Sequence, residues 1–359
     1  MDPASLIPAP DILQVHWPWF HILLLVTFLL HLLLMNVMVG TAFIAACTHL
    51  FSKGKGSPHT QTISSSLPIS IAFAVNFGVA PLLFVQVLYG QFIYTSSILM
   101  AAFWLSIIGL LILAYAMSYV YKYKYTELKQ GRALLTCAIC ALLLLIGFFF
   151  TGNLTLMLRP DTWAKYFTAP EGLLFNLSDP ALLPRYLHFM TSAVAVGGMS
   201  LALYFSYLKS KGGRDTDLWI ARGCTWFVYA TFINVSIGAW FLSALPEGLI
   251  DLSLLPGKLF ILFLFTGIIT AVASILQARR ENVLPAFYWL LTTLISMVLA
   301  RDMLRSLYLH PYFSPSELTV APAYSPMVVF LLLFAGGIAL IIWMVKVSLK
   351  AMTNDGGQS

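Results

Sequence analysis

The sequence predicts an all-α integral membrane protein: nine transmembrane helices in a single polytopic membrane domain over 1–359, with the N-terminus outside and the C-terminus inside. Three observations lead there. Of 359 residues 60% are hydrophobic and only 9% charged, a balance that excludes a water-soluble domain for most of the chain. Nine runs of predominantly apolar residues are each long enough to cross the hydrocarbon as a helix. The basic residues are distributed unequally between the two sets of connections that alternating spans create.

In chain order, the first span (19–50) carries no Lys, Arg, Asp or Glu; it is far longer than a signal-peptide core and lacks a basic leader, so it is expected to stay as a span. The second (68–93) follows the hydroxyl-rich "TISSSLP", and the third (97–121) ends at "YKYKY". The fourth (133–158) lies between "KQGR" and "RPD", and the fifth (183–208) between "LLPR" and "KSKGGR". The sixth (218–245), seventh (255–278), eighth (284–308) and ninth (326–349) are separated by short connections except before the ninth. Alternating ten-residue patterns of a membrane β-barrel are absent, so each run must satisfy its backbone internally. With the N-terminus outside, 14 of the 20 Lys and Arg fall on the inner side and 6 on the outer, which sets the orientation. The net charge of +6 is this bias and gives no reason to expect nucleic acid. The expected location is the inner (plasma) membrane.

The outer side has two longer connections, 155–185 and 307–326, rich in aromatics and prolines; they read equally as an interfacial aromatic belt and as a face that docks a partner. Cys137 and Cys140 form a C-x-x-C inside an apolar helix, but no C-x-x-C-H exists, so covalent c-type haem attachment is excluded and buried thiols are expected.

Placing the ionisable groups is more informative. All carboxylates but Asp302 fall in tails, loops or helix ends, which argues against a proton pump or an oxygen-reducing enzyme fed through intramembrane acids. Histidine is what the spans contain: His21 and His31 on the first, His188 on the fifth. Neutral imidazole is a favoured axial ligand of haem iron, and a hydrogen bond between helices is the rival use. His21 and His188 lie near the outer ends of their helices and His31 about 15 Å deeper, so two haem levels are possible. From His188, Thr191, Ser192, Ala195 and Gly198 make a small-residue face that suits either a flat macrocycle or close helix packing. In "VLARDMLR", Arg301, Asp302 and Arg305 can snorkel, pair with one another, or hold haem propionates or a quinone head group.

This pattern resembles subunit I of the cytochrome bd quinol oxidase superfamily, which has nine spans, an outside N-terminus, and haem-ligating histidines in its first and fifth helices. "RYLHFMTSAVAVGGM" is similar to the family's R-F-x-H-x-x-x-S-G-x-x-x-G motif, Gly40 stands nine residues after His31, "GVAPLLFVQVLYG" (78–90) resembles a second-helix segment, and "VLARDMLR" resembles the end of the eighth helix. The departures are specific. Phe260 stands where the family carries an axial methionine, Lys258 near the family's arginine and Gln86 where an acid is expected. The third helix lacks the family's carboxylates, and the long quinol loop is cut to "LPEGLIDLSLLPGK".

The resemblance implies one or two haem b groups and a quinone or quinol, in a subunit that exchanges electrons between the quinol pool and a redox partner on the outer (periplasmic) side without reducing oxygen. His31 and His188 are the expected iron ligands, with His21 next in line and opposite His188; Lys258, Arg301 and Arg305 would contact the cofactor, and Glu247 or Asp251 would accept protons. A second membrane subunit, a cytochrome c or an iron–sulfur protein is the expected partner, alongside the lipid bilayer. The alternative is a haem-free quinone-binding or anchor subunit of a larger complex. A secondary transporter is a weaker third reading, because no inverted repeat is visible.

Overall fold

A computed structural model describes residues 2–56, 58–168 and 170–355. The extreme ends of the expected 1–359 domain, and the side chain of Lys350 counted on the inner side, lie outside the described residues. Among those described, nine helices are long and apolar enough to cross a membrane: α1 (Trp17–Phe51), α2 (Pro58–Leu99), α3 (Ala101–Tyr123), α4 (Gly131–Met157), α5 (Leu182–Ser210), α6 (Asp217–Ser243), α7 (Leu255–Arg279), α8 (Val283–Leu309) and α9 (Tyr324–Asp355). The chain is therefore a multi-pass membrane protein. The face at which α1, α5 and α7 begin is called here the N face, and the opposite one the C face.

Helix bounds match the expected spans closely except in α2, which starts ten residues before 68. The hydroxyl-rich segment reads as a loop and Pro68 as a start, yet the helix runs through Pro68 and Pro81. Ser64, Ser65, Ser66 and Ser70 each donate to the carbonyl three residues back, so the polar side chains are absorbed by the helix's own backbone. The helix breaks near its other end, at Tyr89, where φ is −135° and ψ 33°.

The centre of the bundle is α1 and α5. Both start on the N face, and they approach closely because neither has a side chain where they cross. A Cβ on Gly40 would run into the Ala193 carbonyl and come 2.8 Å from the Gly197 Cα. On its other side α5 meets α6 through Gly198 and Gly223; a Cβ on Gly198 would lie 2.7 Å from the Phe227 nitrogen. Without a hydrophobic force between helices in lipid, such close backbone packing supplies the association. Helices α2, α3 and α4 gather on one side of α1, and α6, α7 and α8 on one side of α5. More than half of the most apolar window of α5 is buried, whereas none of that of α9 is, so α9 exposes all its faces.

At the C face, Arg132 is buried and donates to the carbonyls of Tyr125 (2.5 Å), Gly54 (3.1 Å) and Thr126 (3.3 Å), tying the α1–α2 turn to the α3–α4 turn. His49 is fully buried beside it and bonds the Tyr121 hydroxyl at 2.7 Å, a fourth histidine inside the bundle that the sequence reading did not single out. At the N face the long connections fold over the helix ends. Trp163, in a 3-10 segment over Pro160–Thr168, is buried and donates to the Leu156 carbonyl. Residues 319–323 pair with the chain's N-terminal segment through an isolated bridge between Leu13 and Val320. The cysteines Cys47, Cys137, Cys140 and Cys224 are free thiols.

The α1–α5 crossing gives a direct expectation for stability. Gly197→Val places methyl groups against the Gly40 backbone and should destabilise the bundle by about 2–3 kcal/mol. Gly109→Ala, where a Cβ meets nothing within 4 Å, should leave the melting temperature in detergent unchanged or slightly raised.

Candidate functional site

Helices α5 to α8, with the facing parts of α1 and α4, surround an apolar cavity of about 310 Å3 in the N-face half of the bundle. That is the lower end of the range of small-molecule sites, about 300–1,000 Å3. Most of its wall is aliphatic and aromatic, including Leu32, Phe260 and Leu304, and the polar groups stand out against it. They are His188, Arg185, Arg301 and Arg305, with Thr151, Ser192, Thr231, Asn234 and Thr293. The wall between α6 and α7 is open. Val235 and Ile268 both line the cavity and are also 46% and 37% exposed, so it has a lateral entrance from the lipid.

His188 is held by the Asn234 backbone carbonyl, 3.2 Å from its Nδ1. A carbonyl only accepts, so Nδ1 carries the hydrogen and Nε2 of the neutral ring is bare. This is the arrangement that orients metal-ligating histidines. The ring packs on Gly238, where a Cβ would come 3.2 Å from Cε1.

The three arginines differ. Arg305 is buried, pairs with Asp302 one turn back and lies 4.5 Å over the Tyr89 ring, yet its Nε has no partner. Arg185 donates to Thr155 Oγ1 at 3.0 Å and lies over Phe241 and Tyr308. Arg301 makes no hydrogen bond or ion pair among the described residues; its guanidinium rests 4.4 Å over the Phe28 ring. Asp302, 1% exposed, stands behind this wall and accepts from both Arg305 and His21 Nε2, the latter at 2.8 Å. Asp302 is paired with Arg305, and Arg185 has the buried Asp179 in its neighbourhood, so the positive surplus is concentrated on Arg301.

The remaining expected site residues lie elsewhere. His21 has its Nε2 on Asp302 and its ring near Trp17, and it is not on the cavity wall, so the structure does not bring it opposite His188. His31 hydrogen-bonds through Nδ1 to the Ala74 carbonyl at 3.0 Å and packs on Gly78; it too is away from this cavity. Of the small face after His188, Ser192 and Ala195 line the cavity, whereas Gly198 is used in packing on α6 and Thr191 is not on the wall. Lys258, Glu247 and Asp251 are exposed at the N face. The Asp251 carboxylate is held below the usual range by hydrogen bonds from the Ser253 side chain and backbone N–H, so it is ionised at neutral pH. Phe260, at the position the resemblance gives to methionine, is buried on the wall. Arg185 was not singled out from sequence as a site residue; the signal was a lone arginine one turn before His188.

These residues can receive a ligand with an apolar body, an anionic edge and a metal that takes imidazole. Haem b is one group with that donor chemistry. The bare Nε2 of His188 would meet iron, and Arg301, with the unsatisfied Nε of Arg305, would meet propionates. No protein-family model matches the chain, and no curated protein is significantly similar to it, so the functional argument rests on these residues.

Asp302 is the structural counter-charge of the site. Asp302→Asn leaves Arg305 buried without its ion pair and should cost about 3–5 kcal/mol of stability. Thermal unfolding in detergent should register that loss, and the double variant Asp302→Asn/Arg305→Met should recover most of it.

Proposed function

We propose that this chain is a haem b-containing membrane subunit that exchanges electrons between the quinol pool and a redox partner on the outer side of an inner (plasma) membrane. The observation that carries the reading is the pairing, on one apolar cavity, of an imidazole with a bare Nε2 and a guanidinium without an anion. The resemblance to subunit I of the cytochrome bd superfamily supports it. So does the collection of basic connections at the C face, which by the positive-inside rule would put the N face, and this cavity, towards the outer compartment.

In this reading His188 binds the group and the Asn234 carbonyl keeps its ring in the right tautomer. Arg301 and Arg305 hold its carboxylates, while the aliphatic wall excludes water. The haem would supply one-electron steps between a two-electron quinol and a one-electron carrier. Quinol oxidation also releases two protons, and the exposed Glu247 and Asp251 at the N face are where they would be passed to water. Ser253 stabilises the charge of Asp251, which makes it a weaker base than an ordinary carboxylate. A cytochrome c, an iron–sulfur protein or a second membrane subunit would take the electrons.

One observation favours a second reading, a haem-free quinone-binding or anchor subunit. The lateral opening between α6 and α7 would admit a quinone directly from the bilayer, and the Nε2 of His21 is already engaged by Asp302.

Reduced-minus-oxidised spectra of the purified chain separate the two. A b-type band should appear in the wild type and vanish in His188→Ala, whereas His21→Ala should keep it. Arg301→Gln should retain the band but lower haem affinity about tenfold, the worth of one charge-assisted hydrogen bond. A wild-type protein without the band contradicts the haem reading, and a band lost only in His31→Ala would move the site to α1.

A further inference from the structure

A second cavity, of about 330 Å3, lies on the C-face half of the α6–α7 seam. We propose that it binds one zwitterionic aminophospholipid from the membrane leaflet on that side. This inference is independent of haem.

The cavity has the length of one leaflet. Cys224, Val228 and Phe232 on α6 and Ala278 on α7 line it together with Thr225 and Tyr229, and Arg279 and Glu281 stand at its C-face end. From Cys224 to Phe232 the wall runs about 12 Å at 1.5 Å per residue, within the about 15 Å that each leaflet contributes to the hydrocarbon core. Its mouth falls where α7 ends and α6 is two turns from its start, at the boundary between hydrocarbon and head groups.

The charges at the mouth select the head group. Arg279 and Glu281 are both exposed, and neither makes an ion pair or side-chain hydrogen bond among the described residues; Lys209, the basic group within the field of Glu281, is paired with Asp217 at 2.7 Å. The backbone turns at this helix end: Glu281 adopts a left-handed φ of 57°, and its N–H and that of Asn282 bond back to Ala278 and Gln277, both at 3.0 Å. An exposed guanidinium and an exposed carboxylate that line one cavity without pairing are complementary to a phosphate and an ammonium carried by one molecule. An anionic phosphatidylglycerol would satisfy Arg279 but meet Glu281 with like charge. A phosphatidylcholine has no N–H to donate to Glu281. Phosphatidylethanolamine satisfies both.

Native mass spectrometry of the full chain, delipidated and then exposed to each of these three lipids, tests the proposal. The expected result is one retained phosphatidylethanolamine per protein. Glu281→Gln should reduce that retention about tenfold and abolish the preference over phosphatidylglycerol, and Arg279→Gln should reduce retention of both about tenfold. Both substitutions are at exposed positions, and unchanged helical circular dichroism would confirm that the bundle is intact. Equal retention of all three lipids, insensitive to either substitution, would show annular lipid only and overturn the proposal. A preference for phosphatidylglycerol, or a retained quinone in place of phospholipid, would overturn it as well.

Discussion

The N-face half of this bundle depends on one carboxylate. Among the described residues Asp302 is the sole acid away from the end of a spanning helix, and it is shared between Arg305 on its own helix and His21 on α1. In hydrocarbon an uncompensated ion is expensive, so this group fixes α8 against α1 and determines which arginine is neutralised. Arg305 has its partner. Arg301, one turn closer to the cavity centre, is left without one and faces the apolar space. Had a second acid stood on α1 or α7, the cavity would be a closed network of ion pairs.

The cavity itself follows from how the helices pair. Small residues let α5 lie against α1 on one side and α6 on the other, and α7 packs on α8 through contacts such as the bond between Thr270 and Thr293. Between α6 and α7 the seam stays poorly filled, and both described cavities lie along it. Of the two uses open to the glycines that follow His188, a macrocycle face and close helix packing, the structure shows the packing. Gly197 and Gly198 serve the crossings, and the room beside His188 comes from the separation of α6 and α7.

How much of this could be read from the chain differs between fold and site. The nine spans were legible because apolar length is a local property, and the structure moved one boundary substantially, at α2, where serines bond into their own helix. The presence of His188, Arg301, Asp302 and Arg305 within spans was legible for the same reason. Their partnerships were not. Pairing at i and i+3 could be anticipated for Asp302 and Arg305, but the bond from His21 joins residues 281 positions apart, and it engages the ring's Nε2. Arg185 and the buried His49 were missed because a single polar residue near a helix end looks the same whether it reaches water or a neighbouring helix.

What stands in the space beside His188 decides the account. A cryo-electron-microscopy map of the chain purified in mild detergent shows it directly. The account predicts a planar density bound through His188 Nε2, with its carboxylates against Arg301 and Arg305. A cavity filled by a single linear lipid or quinone tail that enters between α6 and α7, with His188 bound to nothing but Asn234, would contradict it.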